Sequence, residues 1–164
     1  SGNIVLNALT HANRALMKMN FKKGVHEKGG TSVVMGYMDQ DRLVLGQVGC
    51  CQAGLIRDGK WFDLVQPRSW LKMTTFDSPS AHDCDIPLMA LGVFDEIEPE
   101  VCEYKVKVGD WVVLATDGLG AQVRTQICQL QTQGLAAEQV PYRLKEYIRG
   151  QELSDNISIS LAII

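Results

Sequence analysis

Trp111-Val112-Val113-Leu114-Ala115-Thr116-Asp117-Gly118-Leu119 is the stretch on which the reading of this chain turns. The unbroken run from Trp111 to Ala115 predicts a short strand buried on both faces, and Asp117-Gly118 ends it at a turn. A carboxylate at the end of such a strand is costly to desolvate unless it is paired, hydrogen-bonded or bound to a cation. Taken alone, Asp-Gly is equally a solvated turn. Ser154-Asp155-Asn156 repeats the arrangement at the border of Ile157-Ser158-Ile159-Ser160-Leu161, where the plain reading is a loop or cap-like Asp. Brought together, Asp117 and Asp155 would offer hard oxygen donors to a divalent cation.

Outward from these segments the chain alternates β texture with helical periodicity. Ile4, Val5, Ala8, Leu9, Ala12, Leu16 and Met19 recur at helical spacing, predicting an amphipathic helix over 3–20 that stops before Gly24. Short β-rich runs at 31–38 and 42–48 flank Asp39-Gln40-Asp41, and runs at 53–57 and 60–65 flank Asp58-Gly59, so this part reads as a four-stranded meander. Residues 66–95 carry Pro67, Pro79 and Pro87 without periodicity and read as a long irregular loop. The alternating run 101–106 turns at Lys107-Val108-Gly109-Asp110 into the 111–115 strand, which reads as a further hairpin. Helices at 122–133 and 137–148, ending near Gly134 and Gly150, precede a last strand over 157–164. Strands in runs, flanked by helices without βαβ alternation, predict an α+β sandwich of antiparallel sheets. No repeat or linker divides the 164 residues, so 1–164 reads as a single domain.

Composition removes several classes of function. The net charge is −3 and no basic cluster exceeds Lys22-Lys23, which argues against nucleic acid as a partner. No apolar run reaches the roughly 18 to 20 residues of a membrane span, and no basic region followed by an apolar stretch opens the chain, so it reads as cytoplasmic. Cys50, Cys51, Cys84, Cys102 and Cys128 are odd in number and lack Cys-x-x-Cys spacing, the pattern of free buried thiols rather than of a disulfide framework or structural zinc. His82-Asp83-Cys84-Asp85 groups ligand types, but their side chains diverge in an extended segment and read as solvated. His11 and His26 have no neighbouring nucleophile, and Trp61, Trp70 and Trp111 read as packing residues.

Four segments in order resemble the metal-dependent protein phosphatases of the PPM, or type-2C-like, family and their bacterial relatives. Gly29-Gly30-Thr31-Ser32 looks like that family's Gly-rich approach to a strand. Gln47-Val48-Gly49-Cys50-Cys51-Gln52-Ala53 is similar to its Asn-Val-Gly-Asp-Ser-Arg-Ala hairpin. The more specific matches are Asp110 to Leu119, close to the family's Asp-Gly metal segment, and Ser154-Asp155-Asn156-Ile157-Ser158, close to its Asp-Asn segment.

The resemblance implies a PPM-type sandwich and a Mg²⁺- or Mn²⁺-dependent protein serine/threonine phosphatase, a hydrolase of phosphoproteins acting through a metal-activated water. It implies that Asp117 and Asp155 ligate one metal, with Gly118 and Asn156 supporting the loops around it. The family's Asp-Gly-His-Gly-Gly-like motif, whose Asp bridges two metals, has no counterpart here, which implies an N-terminally truncated domain with half a metal centre and weak or absent activity on its own. Cys50 stands where the family commonly has an Asp for a third metal, and a soft thiol suits Mg²⁺ or Mn²⁺ poorly. Missing strands also imply an exposed sheet face that favours self-association or completion by another chain. Two rival readings stay open: a non-catalytic phosphatase-like binding or regulatory module, and a plain α+β domain whose Asp117 and Asp155 lie far apart.

Overall fold

Val5 and Leu9, spaced four apart on one face, are buried beneath helix α1 (Gly2–Phe21) in the computed structural model, which describes residues 2–66, 88–151 and 155–164. The chain forms two compact units. In the first, α1 lies with β1 (Val33–Asp39), β2 (Arg42–Val48) and β5 (Glu100–Lys105), antiparallel in the order β1-β2-β5. Val5 and Leu9 pack on Val44, Val48 and Leu91. A side chain at Gly46 on β2 would collide with Val5 and Leu9, so glycine there sets the close approach of helix to sheet.

Two buried asparagines tie α1 to the chain around it. Asn13 accepts from the Gly92 amide at 2.8 Å and donates to Phe94 O at 2.9 Å. Asn20 donates to Gly29 O and Gly92 O at 2.7 and 2.8 Å and accepts from the Gly29 amide at 3.1 Å. Each buried amide is thereby satisfied at both ends, which makes polar residues tolerable on the inner face of the helix.

The second unit holds β3 (Gln52–Arg57), β4 (Lys60–Asp63), β6 (Trp111–Ala115) and β7 (Ile159–Ile163) in an antiparallel sheet of order β4-β3-β6-β7, with α2 (Ala121–Thr132) and α3 (Val140–Arg149). Ile56, Trp111 and Val113 form its core with Val123, Ile127 and Leu130 of α2 and Val140 and Leu144 of α3. Asp58 and Gly59 both take positive φ, 52° and 71°, as a two-residue hairpin turn between β3 and β4 requires. Between α3 and β7 runs a groove of about 540 Å³ lined by Val140, Leu144, Ile157, Ile159, Leu161 and Ile163.

Antiparallel sheets with flanking helices agree with the expected α+β class, but two expected pairings are corrected. The meander divides into β1-β2 and β3-β4 in different sheets, and β5 does not pair with β6. Both edges of β2 are already taken by β1 and β5, and both edges of β6 by β3 and β7. The Gln47 side chain also bonds Gly49 O and Cys51 O at 2.9 and 2.7 Å, and Gly49 takes φ 95°, so the chain bends between β2 and β3. Cys50, Cys51 and Cys128 are buried and Cys102 is half-buried. Pro67, Trp70, Pro79, the segment from His82 to Asp85, Pro87 and Ser154 lie outside the described residues. No described helix is long and apolar enough to cross a membrane.

Candidate functional site

β6 reaches Ala115, and Thr116 extends its pairing toward the start of β7. The Thr116 amide donates to Ser158 O at 3.1 Å, and the Ser158 amide donates to Thr116 Oγ1 at 3.0 Å. The Leu119 amide then closes a turn onto Thr116 O at 3.3 Å. Asp117 and Gly118 are its two corners, and α2 follows after Gly120.

The turn carries Asp117 clear of the buried strand, so its exposure corrects the expectation of a desolvated carboxylate there. The burial argument applies instead to Asp110, immediately before the same strand and 0% exposed. Asp110 accepts two bonds from the Arg57 guanidinium at 2.7 and 2.5 Å and one from the Lys107 amide at 2.8 Å. Those contacts hold its carboxyl below the usual aspartate range although burial acts in the opposite sense. This ion pair is structural and escaped the sequence reading.

Asp155 and Asn156 are exposed, and the Asp155 carboxylate accepts from the Asn156 amide at 2.6 Å, a local Asx contact. A Cβ added at Gly118 would lie 2.5 Å from Asn156 O and 3.5 Å from Asp155 O. The backbone of one site segment therefore rests on the backbone of the other. Asp117 and Asp155 thus stand on adjoining segments of the chain.

Gln52 was not singled out in the sequence, yet it braces this arrangement. Its Nε2 donates to Asp117 O at 2.9 Å and Leu119 O at 3.3 Å, while its Oε1 accepts from Arg124 Nη2. Arg124 also pairs with Asp63 at 3.1 Å and lies 5.0 Å from the centre of the Trp61 ring. Trp61 Nε1 in turn donates to Asp63 at 2.8 Å. A polar residue opening an apolar strand was the available signal.

Among the described residues no group of three or more His, Cys, Asp or Glu side chains is placed to hold a metal ion. The donors that do stand on adjoining turns are carboxylates exposed to solvent. Such oxygens fit Mg²⁺ or Mn²⁺, which keep several waters, better than zinc or copper. Cys50 is buried in the first unit, where its amide donates to the Ser32 hydroxyl at 3.2 Å.

No family model and no curated protein matches the sequence. Solved structures do match the fold. The serine/threonine phosphatase of S. agalactiae superposes with a TM-score of 0.81 at 18% identity, over 98% of this chain and 69% of that one. Stp1 from Staphylococcus aureus gives 0.82 at 16% identity, over 100% and 68%. The chain has a PPM-like fold. The Mycobacterium tuberculosis phosphatase PstP/Ppp agrees at a TM-score of 0.69 and 20% identity, over 91% of this chain and 66% of its own. The PPM-like fold here is thus shorter than in these phosphatases, and the likeness at such identities is one of architecture.

Proposed function

We propose that the chain belongs to a Mg²⁺- or Mn²⁺-dependent protein serine/threonine phosphatase that hydrolyses phosphoserine and phosphothreonine through a metal-activated water. The observation that carries this reading is the contact of the Gly118 backbone with the carbonyls of Asp155 and Asn156 in a PPM-like fold. It gives the two acidic turns a common location. Asp117 and Asp155 ligate one cation, while Gly118 and Asn156 set the spacing between their loops. Such a cation, when bound, lowers the pKa of a coordinated water and offsets charge on the phosphoryl oxygens. The remaining work of the chain is positional: both carboxylates sit on exposed turns at the ends of paired strands, where a phosphorylated segment can approach.

The reading includes an incomplete centre within one phosphatase domain. The bridging carboxylate implied by the family resemblance has no counterpart in the sequence, so two carboxylates bind the cation weakly and turnover by the 164 residues alone is slow. Phosphoproteins are its substrates, and the cytoplasm is its place of action.

Mn²⁺ binding followed by electron paramagnetic resonance tests the ligand assignment in the wild type, Asp117→Ala and Asp155→Ala. Each substitution is expected to abolish binding, and binding that survives in both overturns the assignment. Hydrolysis of p-nitrophenyl phosphate tests the incompleteness. Vigorous Mn²⁺-dependent turnover by the wild-type chain, lost in Asp117→Ala, overturns it.

A further inference from the structure

Gln52 occupies the first rung of β3, directly opposite Ala115 at the end of β6. It is 8% exposed, and both ends of its amide are engaged. Nε2 donates to the carbonyls of Asp117 and Leu119, which only accept, and Oε1 faces the Arg124 guanidinium, which only donates. The amide therefore has one workable orientation. Turned over, it would set oxygen against two carbonyl oxygens and NH₂ against a guanidinium.

Arg124 is held as firmly. Asp63 takes its other terminal nitrogen at 3.1 Å, and its plane lies over Trp61, whose own N–H bonds to Asp63. The chain of contacts thus runs from edge strand β4 through α2 to the turn bearing Asp117. Fixing the carbonyls on either side of Gly118 fixes the peptide planes of the turn, and with them the direction in which Asp117 projects.

We infer that Gln52 is a positioning residue for the Asp117 turn, kept in its one orientation by Arg124. As a role in metal binding this rests on Asp117 being a ligand, as proposed above. As a role in shaping the turn it stands on the geometry alone.

Gln52→Glu separates positioning from simple electrostatics. The near-isosteric carboxylate keeps Arg124 as an ion pair but loses both donors to the turn. Added negative charge near a cation by itself tightens binding, so the two effects have opposite signs. Positioning predicts Mn²⁺ affinity weaker by roughly 10- to 100-fold, the range for partners that orient metal ligands. It also predicts faster hydrogen exchange at the Leu119 amide, which closes the turn. Gln52→Leu, without the charge, is expected to behave alike, and Arg124→Lys, which cannot serve Gln52 and Asp63 together, to fall between.

A merely structural role lowers the urea midpoint without changing Mn²⁺ affinity or turn exchange in the folded protein, and that result overturns the inference. Tighter Mn²⁺ binding by Gln52→Glu overturns it too. Wild-type Mn²⁺ binding that does not depend on Asp117 defeats the metal reading instead, and exchange at Leu119 then still decides whether Gln52 holds the turn.

Discussion

Arg57 grips Asp110 with both branches of its guanidinium, Nε on Oδ1 at 2.7 Å and Nη2 on Oδ2 at 2.5 Å. The pair sits where β3 and β6 begin to separate, beside a backbone clasp in which Ile164 N donates to Asp110 O at 3.0 Å and Gly109 N to Ile164 O at 2.8 Å. Asp110→Asn keeps the volume but removes the charge and one acceptor from a fully buried position. The expected loss is about 1–3 kcal/mol, read as a lower urea midpoint with an unchanged m-value. Arg57→Lys is expected to destabilise as well, because an ammonium cannot reproduce the two-branched contact.

The same pair fixes a pH dependence. The Arg57 hydrogen bonds, helped by the Lys107 amide, hold the folded Asp110 carboxyl below its unfolded value. Its contribution is therefore complete above the unfolded value of about 3.9 and is lost as pH falls through the folded value. The gap in urea midpoint between wild type and Asp110→Asn should be constant from neutral pH down to about 4 and shrink below it. Arg57 is shifted upward from an already alkaline value, so the pair has no counterpart effect in the ordinary alkaline range. A gap that widens in acid contradicts the ion-pair account.

In the first unit, burial, aided by Cys102 and Glu100, pushes the Tyr104 phenol up to about 12. A folded value above the unfolded value of about 10 favours the neutral phenol, so this stabilisation is present below that pH and lost as pH rises toward the folded value. Near-ultraviolet titration of tyrosinate should show a late step near pH 12 that Tyr104→Phe removes. Persistence of that step in the variant assigns it to another tyrosine.

Local chemistry made much of the fold legible. The spacing of Val5 and Leu9 led to α1, Asp58-Gly59 to its hairpin, and Trp111 to Ala115 to β6 with the same bounds. Strand partners were not legible, because alternation says which face is buried and not which edge is free. β2 and β3 follow one another with a short bend, but β1 and β5 already occupy both edges of β2. Buried glutamines were equally opaque. Gln47 and Gln52 are 2% and 8% exposed: the amide of Gln47 donates to the nearby carbonyls of Gly49 and Cys51, and that of Gln52 to the distant carbonyls of Asp117 and Leu119. The contrast between Asp110 and Asp117 has the same root: both flank one apolar strand, and turn geometry decides which is buried. The two site segments were readable as a pair of motifs, whereas their contact through Gly118 required the three-dimensional structure.

That contact gives the sharpest test of the site. An alanine Cβ at position 118 would stand 2.5 Å from Asn156 O, against backbone rather than a flexible side-chain end, so one loop must move. Overpacking of this kind costs about 1–3 kcal/mol. Because the displaced loops carry Asp117 and Asp155, Mn²⁺ affinity should fall beyond what lost stability explains. Gly109→Ala is the matched control: at φ 92° with nothing within 4 Å of an added Cβ, it is strained but obstructs nothing. It should lower the unfolding midpoint and leave the Mn²⁺ affinity of the folded protein intact. Equal effects of the two substitutions on Mn²⁺ affinity, or none from Gly118→Ala, would mean that the two acidic turns do not act as one site.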